Sequence, residues 1–84
     1  MHYDSWITFR SVTFAQRAAR ILEKGGIDNI LRRTPKTLSV RGCGYCLYLP
    51  VRHILAATAL LDEGEIPYEK AFRMGLNGPE ELAL

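Results

Sequence analysis

The chain has 84 residues, of which 48% are hydrophobic and 24% charged, which fits one small globular domain and leaves no room for a second. No run approaches the roughly 18 consecutive apolar residues of a bilayer span, and Met1-His-Tyr-Asp-Ser-Trp6 lacks the basic and apolar regions of a secretory signal, so a cytoplasmic protein is expected, with no membrane partner. The net charge of +2 conceals an asymmetry: residues 1–60 carry nine Lys and Arg against three acids, whereas residues 61–84 carry six acids against Lys70 and Arg73. The basic excess peaks at Arg32, Arg33, Lys36 and Arg41, a stretch suited either to an anionic partner or to a solvated loop and strand edge.

Ser5–Arg10 is short, aromatic and β-branched, with Ile7 and Phe9 able to share a face, and reads as a strand. A helix is expected over about 13–24. Thr13 and Gln16 have the spacing of a capping box, Ser11 is a competing cap, and Phe14, Ala18, Ile21 and Leu22 recur at helical spacing. Gly25-Gly26 supplies its left-handed stop. Ile27–Arg33 reads as a second strand ended by Thr34-Pro35, although adjacent Ile30 and Leu31 leave its buried face undecided.

Gly44–Pro50 is the clearest strand, with Tyr45, Leu47 and Leu49 alternating with Cys46 and Tyr48. Pro50 then opens a helix whose apolar stripe is Val51, Ile54, Leu55 and Leu61; Thr58 interrupts the stripe, its hydroxyl able to bond back to a carbonyl one turn earlier, and Asp62-Glu63-Gly64 closes it. Tyr68–Met74 is expected as the final strand, and the tail from 75 to 84 frames a short helical turn at Pro79 or frays, with Glu80-Glu81 a solvated helix start.

Sliding the chain against itself by 39 residues superposes Val12 on Val51, Ala18 on Ala57, Leu22 on Leu61, Gly25 on Gly64 and Ile27 on Ile66. Two tandem β-α-β units are implied. Interleaved, they give the expected α+β fold: a ferredoxin-like βαββαβ sandwich, a four-stranded antiparallel sheet with two helices on one face, its core spanning about 5–74.

Arg41-Gly-Cys-Gly-Tyr-Cys46 holds both cysteines. A disulfide between them would close a tiny loop and staple nothing. Cys43 stands between two glycines that let the backbone approach a ligand, with Arg41 just before it, and Arg32, Arg33 and Lys36 brought near if the second and third strands form a hairpin. Positive charge and free backbone N–H groups lower a thiol pKa, which makes Cys43 a candidate nucleophile; the alternative is an inert buried thiol. Cys46, three residues on, belongs on the opposite face of a regular strand, and the strand that follows it does not match the helix start of a redox C-x-x-C motif. His2 and His53 are not spaced to complete a zinc site, and no metal or other cofactor is expected.

Arg41–Tyr48 also resembles the octamer of RNA-recognition motifs, which sits on the third strand of a βαββαβ fold and stacks bases on aromatics. Cys43 occupies the place of one stacking aromatic, and only one of Tyr45 and Tyr48 can face the open side of the sheet. RNA binding through one of these tyrosines, and a small adaptor or interaction domain, are the alternative functions.

From about residue 6 to 74 the chain resembles a family of small bacterial Se/S carrier-like proteins. The resemblance rests on "ITFRSVTFAQRAARILEKGGI", "RRTPKTL", "RGCGYCLYLP" and "ILAATALLDEGEIPYEKAF", with Cys43-Gly44 its most specific part. It implies a carrier rather than a turnover enzyme, with Cys43 holding a persulfide or selenopersulfide. The implied partners are a sulfur or selenium donor such as a cysteine desulfurase and a protein acceptor, with pairing of two copies left open. Arg41, Gly42, Gly44, Arg32, Arg33 and Lys36 would be the anion-stabilising set, and Cys46 a candidate resolving thiol. Gly44 stands where sulfur-carrier proteins with a Cys-Pro element have proline.

Overall fold

The structure is a computed structural model that describes residues 3–33 and 44–83. Its elements in chain order are β1 (Ser5–Phe9), α1 (Val12–Lys24), β2 (Ile30–Arg33), β3 (Tyr45–Leu49), a 3-10 turn (Val51–His53) leading into α2 (Ile54–Glu63), β4 (Ala71–Gly75) and β5 (Gly78–Glu81). All neighbouring strands pair antiparallel, in the order β2-β3-β1-β4-β5. The first four strands follow the order of two interleaved split β-α-β units. The sheet has five strands rather than the expected four.

The fifth strand corrects the reading of the tail. Leu76-Asn77 forms a two-residue turn between Gly75 and Gly78, which pair across it, and the chain returns along β4 instead of coiling at Pro79. Proline is tolerated there because of the ladder's alternation. The Leu82 N–H donates to the Ala71 carbonyl at 2.8 Å, so Pro79, three residues away, falls at a position that exchanges no backbone bonds with its partner Met74. Glu80 and Glu81 are therefore strand residues, and they form ion pairs with Arg73 at 3.0 Å and Lys70 at 3.4 Å.

The core lies between one sheet face and the two helices. Ile7 and Phe9 of β1, Leu47 and Leu49 of β3 and Ala71 of β4 meet Ala15, Ala18 and Leu22 of α1 and Ile54, Ala57 and Leu61 of α2. Leu31 packs on the same side, which settles the face of β2 and sends Ile30 to the other. On α2 the stripe differs from expectation: Thr58 is buried, its hydroxyl donating to the Leu55 carbonyl at 3.0 Å, and Leu55 itself is exposed. Satisfying its hydroxyl locally is what lets the threonine sit inside.

Ser11, not Thr13, caps α1, its Oγ accepting the Phe14 N–H at 3.3 Å. The α2 end has no such local cap, since Pro50 carries no hydroxyl. Asp4 supplies one from before β1, its Oδ1 accepting the Val51 N–H at 2.8 Å.

The repeat is sharpest at the helix C-termini. Gly26 and Ile27 donate to Glu23 and Leu22 carbonyls, and Glu65 and Ile66, 39 residues on, donate to Asp62 and Leu61. The contacts are reciprocal as well: a Cβ on Gly25 would stand 2.6 Å from Leu60 Cδ1, and one on Gly64 2.7 Å from Ile21 Cδ1. In the strands the phase changes, because Ile7 and Phe9 share the core face with Leu47 and Leu49, an offset of 40. Arg10-Ser11 stands in the first half where Pro50 alone stands in the second, so the ungapped alignment holds for the helices and their turns only.

Candidate functional site

The candidate residues cluster on the hairpin of β2 and β3 and on the chain between them. Cys43, Arg41, Gly42 and Lys36 lie outside the described residues. Gly44, Arg32, Arg33 and Cys46 are described. Gly44 is buried and has φ of +135°, a conformation in which a side chain would be strained. Antiparallel pairing sets Arg33 opposite Tyr45 and Arg32 opposite Cys46, so both arginines lie on the strand that pairs with the one following Cys43 and Gly44. Both are exposed, and neither forms an ion pair with an acid among the described residues. The Arg33 guanidinium lies 5.8 Å from the centre of the Tyr45 ring, a cation-π contact.

Strand alternation separates the two tyrosines as expected. Tyr45 packs against the helix-side core, and Tyr48 lies on the opposite face. There a row of rings crosses three strands: Trp6 of β1 lies between Tyr48 of β3, at 5.6 Å between centroids, and Phe72 of β4, at 5.9 Å and nearly parallel. Trp6 is only 3% exposed, so Tyr48 and Phe72 are the half-buried members that present ring surface. The Trp6 Nε1 is the one buried side-chain nitrogen or oxygen without a hydrogen-bond partner among the described residues. Phe9, the other aromatic of the first strand, is in the core.

Cys46 shares this face, fully buried between Thr8 of β1 and Arg32 of β2 in register. A thiol without exposed surface meets no external acceptor unless the sheet opens locally. Its neighbour along the strand registers its presence: burial raises the pKa of Tyr48 above the ordinary tyrosine value, the Cys46 thiol beside it raises it further, and Arg32 pulls it partly back.

His53 is half-buried in the turn before α2, and no cluster of three or more His, Cys, Asp or Glu suited to a metal ion occurs among the described residues. No helix among them is long and apolar enough to cross a membrane. Sequence reasoning missed the row of rings as a unit; its signal was Trp6, Tyr48 and Phe72 at alternate positions from the core residues Ile7, Leu47 and Ala71.

No curated protein and no solved structure matches the chain. A sequence model of the family described as "Putative Se/S carrier protein-like" matches residues 4–73, from just before β1 into β4, and the chain belongs to that family.

Proposed function

We propose that the protein carries sulfur or selenium on Cys43 as a persulfide or selenopersulfide and passes it to an acceptor protein. Family membership is the observation that carries this reading. The surroundings support it: Arg41 and two glycines flank the thiol in sequence, and Arg32 and Arg33 stand without acidic partners, among the described residues, on the strand paired with the one that follows it. Cationic groups and backbone N–H groups favour the thiolate, the form that reacts.

In the loading step the Cys43 thiolate attacks the terminal sulfur of a donor persulfide, such as that of a cysteine desulfurase. The donor's sulfur–sulfur bond breaks, its thiolate departs and takes up the proton of the transferred sulfur, and Cys43 holds that sulfur as a persulfide anion. In unloading, an acceptor nucleophile attacks that terminal sulfur and Cys43 leaves as thiolate. Sulfane sulfur is moved and nothing is oxidised overall. Arg41, Arg32, Arg33 and Lys36 would stabilise the anion, with main-chain N–H groups at Gly42 and Gly44.

Incubation with a cysteine desulfurase and cysteine should add one sulfur atom by intact mass. The adduct should vanish in Cys43→Ser and survive in Cys46→Ala. No adduct, or one that persists in Cys43→Ser, refutes the reading.

A further inference from the structure

A groove of about 390 Å³ runs along the free edge of the sheet on the side away from the helices, lined by Tyr3, Ile30, Arg32, Arg33 and Tyr48. Its volume falls in the range of small-molecule sites, about 300–1,000 Å³. Ile30 and Tyr48 face each other in register across β2 and β3 and give the groove an apolar, ring-bearing wall. Arg32, in register with Cys46, shares that face and gives the groove a guanidinium that pairs with no acid among the described residues, whereas the Arg33 side chain turns to the other face against Tyr45 and only borders the groove. A guanidinium in such a place pays little to leave water for an anion, and its fork of donors matches phosphate oxygens. The Tyr48 ring is backed by Trp6, which is backed by Phe72, so the wall is held by packing rather than free to turn.

We propose that this groove binds one nucleotide unit, with the base against Tyr48 and Ile30 and the phosphate on Arg32. A ring and an anion joined at short range satisfy both halves of the lining, whereas an inorganic anion leaves the apolar wall uncovered and a neutral nucleoside leaves the Arg32 guanidinium without an anion. The site shares Arg32 with the anion-stabilising set proposed for Cys43 but makes no use of the thiol. With Trp6 buried between them, Tyr48 at the charged edge and Phe72 beyond Trp6 form no continuous track of exposed rings, which favours a mononucleotide over a nucleic-acid strand.

Trp6 is the only tryptophan, so its indole N–H gives a single resolved NMR resonance next to the groove's Tyr48 wall. Titration of the full chain with AMP should shift that resonance saturably. Adenosine and inorganic phosphate should each bind at least about tenfold more weakly than AMP, and Arg32→Gln, at an exposed position, should weaken AMP about tenfold, a difference of roughly 1.4 kcal/mol. A single-stranded decaribonucleotide should bind no more tightly per site than AMP. No saturable shift with millimolar AMP, an affinity indifferent to Arg32→Gln, or binding of the decaribonucleotide without AMP would each overturn the proposal. Loss of sulfur loading in Cys43→Ser with AMP binding unchanged would separate this site from the carrier cysteine.

Discussion

Leu47 and Cys46 are neighbours on β3 and both are fully buried, yet they lie on opposite faces of the sheet, and the two faces are closed in different ways. On the Leu47 side the two helices lay Ala15, Ala18, Leu22, Ala57 and Leu61 over the strands. On the Cys46 side no helix packs among the described residues. That face holds a thiol, a threonine, an indole with an orphan N–H and two half-buried rings. The first surface is a hydrophobic core whose energy comes from apolar area and close packing. The second keeps polar atoms and an arginine beside its rings, a composition that contributes less to stability and offers more to a ligand.

The largest expected effect tests that contrast within one strand. Leu47→Ala removes packing of β3 within the core beneath the helices and should cost about 2–5 kcal/mol. Cys46→Ala deletes only a sulfur and should cost about 1 kcal/mol. Urea unfolding followed by circular dichroism measures both. Equal losses would mean that the face without helices contributes as much to the fold as the core does, and would remove the argument for treating it as a binding surface.

A smaller effect comes from Tyr48, whose position on the second face raises its pKa. The folded state then holds the phenolic proton at a pH where the unfolded chain has released it. Its contribution is complete below the ordinary tyrosine value near 10 and is lost as pH rises from there through the raised folded value. Stability should fall over this alkaline range in the native chain, and part of the fall should disappear in Tyr48→Phe. Alkaline melting curves of the two proteins check the difference. A Phe variant with an unchanged pH profile would show that Tyr48 titrates as it does in water.

How far the sequence disclosed these two faces depends on how local each signal is. Periodicity of two in Gly44–Pro50 correctly divided Tyr45, Leu47 and Leu49 from Cys46 and Tyr48, because strand alternation needs no knowledge of the neighbours. The helices were legible for the same reason, and the shared Gly-x-Ile ending pointed to their equivalence. The row of Trp6, Tyr48 and Phe72 was not, since it is assembled from three strands and depends on register. Asp4 as the remote cap of the turn before α2 was equally invisible, being 47 residues from Val51. The tail was misread because Pro79 and two glutamates favour a helix start locally, and the two-residue turn between Gly75 and Gly78 outweighed them by giving β4 a partner. For the candidate site, the sequence supplied Cys43 and its charged surroundings, whereas the groove required β2 to be an edge strand.

The repeat permits a finer comparison, between two chain reversals that share their hydrogen bonds and differ in one residue. Gly26 follows α1 with φ of +81°, and its counterpart Glu65 follows α2 with φ of +55°, the only non-glycine residue among those described with a positive φ. An L side chain in the left-handed region costs roughly 1–2 kcal/mol, and glycine avoids it while adding some freedom to the unfolded chain. Glu65 is exposed, and no ion pair among the described residues offsets that cost. Glu65→Gly should therefore stabilise the protein by about 0.5–1 kcal/mol, read as a rise in Tm of roughly 2–8 °C for a domain of this size. Gly26→Ala makes the converse change and should lower Tm, since the open space around Gly26 leaves backbone conformation as the only penalty. If Glu65→Gly lowers Tm instead, the carboxylate stabilises its turn through an interaction that outweighs the backbone cost, and the two reversals are equivalent in hydrogen bonding alone.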